Sequence, residues 1–347
     1  MTQDVLIRKS GRAGHVTLNR PDALNALNAD MSIAIETALE AWRSDDSVTL
    51  VILDAEGSRA FCAGGDIAKL YENGRVGAYE FGRQFWRQEY RLNLKIATYP
   101  KPVVVFMQGF TMGGGVGLAG HASHRIVGDS SQIAMPECGI GLIPDVGGSF
   151  LLGRAPGETG VYLGLTGARM GAKDAIYAGF SDHYVPERIW DDLKSNLLQN
   201  GDVSTIAAAV HRPTGGTLAG LQPTIDCLFS GASLPCIHQS LVEDETEFAQ
   251  TARKKLAKGA PLALACALQI IRVSRDGTLA DALKHEFRFS YRSQQQGDFI
   301  EGIRAQIIDR DFTPNWRHES LNVPQHEVAD MLAHLGPQDW TSTGDTQ

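Results

Sequence analysis

Apolar positions in the first half of the chain fall into short β-like runs separated by stretches of helical period. Val16, Thr17 and Leu18 lie in one run, residues 49–53 in a second and residues 102–107 in a third. Between the first two, Met31, Ile35, Ala38, Leu39 and Trp42 recur at the spacing that lines one face of a helix, with Asn28 and Asp30 standing where an N-cap is needed. Further strands are expected at residues 124–127, 132–135 and 180–185, and helices at 157–165 and 172–178. Strand and helix alternate, which predicts an α/β class.

The pattern changes near residue 200. A stretch containing Pro, Gly and Ser runs to Pro235, and a mostly helical region follows over residues 243–309 with few strand signals. The division this predicts is a core of residues 1–200 and a mainly helical C-terminal region of residues 201–347. Leu262, Ala265, Cys266, Leu268, Gln269, Ile271 and Arg272 repeat with helical period, and packing on the core or on a neighbouring subunit accounts for their apolar face. The last eight residues, polar and rich in Gly and Thr, are expected to fray.

Composition narrows the class of protein. Hydrophobic residues make up 43% and charged residues 21% of the 347, values of an ordinary globular enzyme. The net charge of −8 comes without a basic run able to track a phosphate backbone, so nucleic acid is not an expected partner. Five cysteines are scattered without zinc-ligand spacing, which reads as reduced thiols. The N-terminal residues lack a secretory or amphipathic leader pattern and no apolar stretch is long enough to span a bilayer, so a cytoplasmic protein without a membrane partner is expected.

Two glycine-dense loops carry the first chemical signal. Phe61-Cys62-Ala63-Gly64-Gly65-Asp66 follows the second strand, and Gly109-Phe110-Thr111-Met112-Gly113-Gly114-Gly115-Val116-Gly117 follows the third. Each lies where a strand gives way to a helix, so its amides face outward at a helix N-terminus, where the dipole favours negative charge. Glycine lets a ligand approach the backbone and adopts positive φ. The plain alternative is a pair of tight turns. A dinucleotide reading also exists, because Gly115-Val116-Gly117-Leu118-Ala119-Gly120 matches G-x-G-x-x-G. The acid that should follow about twenty residues on is Asp129, only fourteen beyond Gly115, which argues against it.

Downstream, Met135-Pro136-Glu137-Cys138-Gly139-Ile140-Gly141-Leu142-Ile143-Pro144-Asp145-Val146-Gly147-Gly148 sets two carboxylates among apolar, Gly and Pro residues. Desolvation raises the pKa of such acids, and two facing one cavity raise each other, which suits general acid/base work. A lone Glu after Pro is otherwise a helix N-terminal residue. His121 and His124 form H-x-x-H without a third ligand, so no metal is expected. Cys62 lacks a paired His and reads as a small buried hydrophobe.

Together, Ala63 to Asp66 (A-G-G-D), Gly113 to Gly117 (G-G-G-V-G), Met135 to Glu137 (M-P-E) and Gly141 to Gly148 (G-L-I-P-D-V-G-G) resemble the crotonase (enoyl-CoA hydratase/isomerase) superfamily, and the segment Asn19 to Leu27 is similar to that family's opening. The resemblance implies a spiral of ββα units with a helical C-terminal region. It implies an acyl-CoA substrate, with CoA part of that substrate and no separate cofactor. Gly65 and Gly114 would donate the two oxyanion hydrogen bonds, and the adenine and pantetheine of CoA would lie near Ala23, Asn25, Ala63 and Asp66. Relatives with a helical C-terminal region often form trimers, which allows a homo-oligomer.

Family hydratases use two glutamates, one of them four residues into the helix after the G-G-G loop. Here that position is Gly117, while Glu137 remains and Asp145 stands where hydratases commonly carry glycine. This pattern resembles the thioester-cleaving branch that acts on 3-hydroxyisobutyryl-CoA in valine catabolism. The same branch is similar in Phe85-Trp86-Arg87-Gln88-Glu89-Tyr90, whose Glu89 matches a substrate-contacting glutamate, and in Asp298 to Ala305 with the residues from Asp309 to Trp316 beyond. Without the resemblance, Glu89 reads as a solvated helical charge beside Arg87 and Arg91. The implied roles are Glu137 as nucleophile or water-activating base, Asp145 as water-positioning or proton-shuttling acid, and Glu89 and Gly114 as substrate contacts. Two other readings remain open: a hydratase or isomerase working through an enolate with Glu137 alone, and a silent CoA-ester binder, against which the two acids argue.

Overall fold

The computed structural model describes residues 3–342. Its strands are β1 Val5–Ser10, β2 Ala13–Leu18, β3 Leu50–Ala55, β4 Ala60–Cys62, β5 Val103–Met107, β6 Phe110–Met112, β7 His124–Val127, β8 Gln132–Ala134 and β9 His183–Tyr184. Interleaved with them are α1 Ala29–Arg43, α2 Ile67–Gly74, α3 Tyr79–Ala97, α4 Gly114–Ala119, α5 Gly148–Arg154, α6 Thr159–Thr166, α7 Ala172–Tyr177 and α8 Trp190–Asn200. Then follow α9 Ile206–Ala209, α10 Leu218–Phe229, α11 Leu234–Glu243, α12 Glu247–Leu256, α13 Pro261–Val273, α14 Leu279–Gln296, α15 Phe299–Ile303 and α16 Gln325–Leu332.

The strands sort by turns into two sheets, β1-β2-β3-β5-β7-β9 and β4-β6-β8. From β3 onward one strand of each pair enters the large sheet and the next enters the small one before a helix follows, which is the expected ββα repeat in an α/β fold. Only the β1–β2 hairpin of the large sheet is antiparallel; β2 to β9 pair in parallel. Every residue of β2 and all but the last of β3 are buried, as inner strands covered on both faces require.

Compaction crosses the division expected at residue 200. One unit gathers the residues up to Gly65, Arg91–Ile133 and Met170–Thr217; the other gathers Asp66–Tyr90, Ala134–Arg169 and the residues from Leu218 onward. The texture of the sequence changes once, but two earlier excursions already belong to the helical unit. Their helices bury their apolar faces on helices of the last third: a Cβ on Gly164 of α6 would come within 2.5 Å of Ile271 on α13, so glycine is what lets those two helices close.

The first unit is built on the large sheet. Ala13, Leu50, Ile52, Val104, Phe106 and Ile126 form its core with Trp190, Leu193 and Leu197 of α8. On the other face α1 lies against Gly14, where a Cβ would meet the Trp42 ring at 2.3 Å. Asn28 caps α1, its Oδ1 accepting from Met31 N at 2.9 Å, whereas Asp30 falls inside the first turn.

Three expectations need correction. The stretch before Pro235 contains α10, which tolerates Pro223 in its interior, and α11 begins there with Pro235 in its first turn, a position proline suits. Of residues 180–185 only His183 and Tyr184 pair, with Ile126 and Val127, because this is the sheet's short edge. Near the C-terminus Trp340 is buried and its Nε1 donates to the Arg87 carbonyl, so fraying does not reach it; residues 343–347 lie outside the described residues, as do the first two of the N-terminal segment.

Candidate active site

The two glycine loops are neighbours within the first unit. β4 and β6 run in parallel with Cys62 opposite Thr111, so Gly65 and Gly114 each lie three residues beyond a paired position. A Cβ on Gly115 would sit 2.1 Å from the Cys62 carbonyl oxygen, which fixes glycine where the loops touch. Gly64 takes φ 119° and Gly113 takes φ 50°, both in the region that favours glycine. Gly114 opens α4, so its N–H belongs to the first turn and has no partner within the helix. The Gly65 loop is pinned by Leu27 N donating to the Gly64 carbonyl at 2.9 Å and Ala63 N to the Leu24 carbonyl at 3.0 Å.

Ala23 and Asn25 border this loop. Ala23 is exposed at the end of a 3₁₀ turn, Pro21–Ala23. Asn25 is buried, and its side chain serves the backbone: Nδ2 donates to the Glu56 and Ala60 carbonyls at 2.9 Å and Oδ1 accepts from Arg20 N at 2.8 Å. Its side chain is thus a clamp for the residue 20–25 turn, so any contribution of Asn25 to CoA would come from its backbone. Asp66 stands at the N-cap position of α2 without a side-chain cap. Gly115, Gly117 and Gly120 fall inside and at the end of the six-residue α4, not in a strand-to-helix turn, and Asp129 accepts from the Tyr184 hydroxyl, which removes the dinucleotide reading.

The acids gather in the second unit. Glu89, Glu137 and Asp145 are 3%, 5% and 4% exposed, and a fourth carboxyl, Glu286, is fully buried. Glu89 lies on α3 and is not solvated; Arg87 points instead to the Gln338 carbonyl and over the Phe287 ring. Glu137 begins a 3₁₀ turn, Glu137–Ile140, directly after Pro136, so the helix-start reading holds for it and is compatible with a place among the buried acids. That turn ends at Gly141, φ 75°, which packs against the Asp298 backbone. Glu89 Oε1 and Glu137 Oε2 are buried without a hydrogen-bond partner. Asp145 Oδ2 accepts from the Tyr90 hydroxyl at 2.8 Å, which is 2.8 Å from Ser290 Oγ.

These surroundings set the proton affinities. Burial, then the neighbouring Asp145 charge, pushes Glu137 well above the ordinary carboxylate range, and the same two causes in the same order raise Glu89. Burial raises Asp145 against the opposing Tyr90 bond. Burial pushes Glu286 up to about 8 although two amides and a hydroxyl point at it. The three acids singled out in the sequence are therefore close enough to govern each other's protons, as an acid/base site requires.

Sequence reasoning missed Tyr90, Ser149, Glu286 and Ser290. A signal existed for two of them: Leu279, Leu283, Glu286, Phe287 and Ser290 recur at helical spacing, so a glutamate and a serine interrupt an otherwise apolar stripe.

A family model described as Enoyl-CoA hydratase/isomerase matches residues 13–332. The chain is 38% identical to the 3-hydroxyisobutyryl-CoA hydrolase, mitochondrial, of Danio rerio, over 97% of this chain and 91% of that one. It is 34% identical to the Homo sapiens protein of the same name, over 97% and 90%. Among solved structures, an enoyl-CoA hydratase from Rhodobacter sphaeroides 2.4.1 matches with a TM-score of 0.95 at 55% identity, covering 98% of this chain and 100% of that one. A carnitinyl-CoA dehydratase from Mycobacterium thermoresistibile gives 0.94 at 39%, with coverages of 99% and 100%.

Proposed function

This chain belongs to the enoyl-CoA hydratase/isomerase family, and on that premise we propose that it hydrolyses a short 3-hydroxyacyl-CoA thioester, 3-hydroxyisobutyryl-CoA first of all, to the free acid and CoA. The observation that carries the reading is the buried trio of Glu89, Glu137 and Asp145 in a chain whose residue 117 is glycine. A water-adding pair of glutamates lacks its first member here, at Gly117, whereas a cluster of acids with raised proton affinity suits water attack on a thioester. Full-length relatives named as hydrolases of that substrate support the same choice.

In this mechanism the thioester carbonyl oxygen takes two hydrogen bonds, from the Gly65 and Gly114 amides, which strengthen as charge builds on it. Glu137 then attacks the carbonyl carbon, expelling the CoA thiolate and leaving a mixed anhydride that water cleaves; alternatively it takes a proton from water, which attacks directly. Both routes consume one water and yield the acid and the thiol. Raised proton affinity makes the ionised Glu137 a stronger base than a solvated carboxylate. Asp145 orients the water or carries its proton, and Glu89 bonds the substrate hydroxyl, so substrates lacking that group are rejected strongly. Valine catabolism, a cytoplasmic location, a homo-oligomer and independence from any added cofactor belong to this proposal.

The solved relative named as an enoyl-CoA hydratase keeps a second reading in view, hydration or isomerisation through an enolate. Purified chain given 3-hydroxyisobutyryl-CoA and a thiol reagent should release one thiol per substrate, with CoA esters of unsubstituted acids much slower. No thiol release, with loss of the conjugated absorbance of an enoyl-CoA, would overturn the hydrolase reading in favour of the second.

A further inference from the structure

Taking Asp145 as a reacting group, and so resting on the proposed function, we propose that Glu286 is a positioning residue that holds the turn after Asp145 in its working shape. The turn is unusual. Val146 takes φ 54° and Gly147 φ 78°, so two successive residues are left-handed, and the first is β-branched, the residue type least suited to it. Strain of this kind persists only where the surroundings hold it, and it gathers at functional sites. Here a carboxylate on α14 holds the residues that follow Val146. Gly147 N donates to Glu286 Oε2 at 2.7 Å, Ser149 N donates to Oε1 at 3.0 Å, and the Ser149 hydroxyl also donates to Oε1. Gly148 N closes the turn onto the Asp145 carbonyl at 2.6 Å.

Both oxygens of Glu286 accept from backbone amides, so a glutamine in its place sets its NH₂ against either the Gly147 or the Ser149 N–H in either orientation. α14 reaches Asp145 by a second route. When Asp145 is ionised, Tyr90 donates to it and Ser290 donates to Tyr90. When Asp145 is protonated it donates to Tyr90, Tyr90 to Ser290 Oγ, and Ser290 to the Glu286 carbonyl at 3.2 Å. Either protonation state is satisfied without moving a heavy atom, provided the turn keeps Asp145 in register. The titratable groups that face Asp145 are Glu89 and Tyr90 from α3, Glu137 from its 3₁₀ turn and Glu286 from α14.

The test reads amide hydrogen exchange and steady-state kinetics in Glu286→Gln, Ser149→Ala and the double variant Glu286→Gln/Val146→Gly. In Glu286→Gln the Gly147 and Ser149 amides should exchange faster, and kcat should fall by about 10²-fold, the usual effect of a small misplacement, with KM within about threefold. Adding Val146→Gly should restore at least about tenfold of the lost kcat, since glycine holds the left-handed turn without a clamp. Ser149→Ala keeps both amide bonds and should cost about threefold, which keeps the test open if Glu286→Gln does not fold. Unchanged exchange at both amides, or kcat within about threefold in Glu286→Gln, overturns the inference. The hydrolase reading is judged separately, on thiol release by the wild type and by Asp145→Asn, while the exchange readout decides on Glu286 whatever reaction is catalysed.

Discussion

Each of the two compact units buries an acid, and they treat it in opposite ways. In the sheet unit Asp54 accepts from Thr17 Oγ1 at 2.7 Å, lies 3.0 Å from His15 Nε2 and pairs with Lys194 Nζ at 2.9 Å. Burial works to raise it, but the His15 bond and the Lys194 charge win, and it lies well below the usual carboxylate range. In the helical unit Glu89, Glu137 and Asp145 are as deeply buried with no cation among the described residues paired to them, so burial pushes all three up, and the Asp145 charge adds to the rise of Glu89 and Glu137. Burial raises both sets of acids; a paired cation, present at Asp54 and absent at the trio, decides whether the carboxylate ends below or above its ordinary range.

The sharpest way to break this comparison is to neutralise the raised acids. Glu137→Gln and Asp145→Asn should each lower turnover by about 10²- to 10⁴-fold, the usual share of acid/base catalysis, and a variant within a few-fold of wild type in the thiol assay would remove that residue from the mechanism. Next comes the backbone site of the sheet unit: Gly114→Pro deletes an amide donor and should cost at least about 10²-fold in kcat, checked on protein whose circular dichroism matches wild type. Asp54 should behave differently. Lys194→Met leaves its carboxylate buried beside only His15 and Thr17, and should cost about 2 kcal/mol in urea unfolding while kcat stays within about twofold; a large kcat loss would erase the distinction drawn here.

The smallest effect follows from the direction of the Asp145 shift. Its folded proton affinity is raised, so between the ordinary carboxylate range and its raised value of about 7 the folded state binds more protons than the unfolded one, and stability falls as pH climbs through that window. Asp145→Asn removes this titration. Its melting temperature relative to wild type should therefore rise by about a few degrees between pH 5 and pH 8, and a difference that stays flat or falls would contradict the shift.

How far each site could be read before folding tracks what it is made of. The candidate oxyanion loops would act through backbone, and a backbone feature announces itself locally: Gly64 and Gly65, and Gly113 to Gly115, stand consecutively at turns of positive φ and close approach. Glu137 and Asp145 were visible for the same reason, set in one short Gly- and Pro-rich stretch. Glu89 was visible only through resemblance, since a glutamate between Arg87 and Arg91 on a helix reads as a solvated charge. Glu286 is marked locally only as a polar break in the apolar stripe of α14; its role is not, because its partners Gly147 and Ser149 are about 140 residues away. The side chain of Asn25 clamps its own turn, an arrangement that depends on the carbonyls of Glu56 and Ala60 folding back onto it.

Local order thus carried the strand and helix succession, the glycine loops and the candidate acids Glu137 and Asp145, since φ preference, periodicity and side-chain chemistry are properties of neighbouring residues. Which acids are buried together, what sign of charge faces them, and the regrouping of residues 66–90 and 134–169 with the last third of the chain depend on contacts between distant segments. Proton affinity is set by the summed field of such neighbours and by the water they exclude, and neither exists until the chain has closed around them.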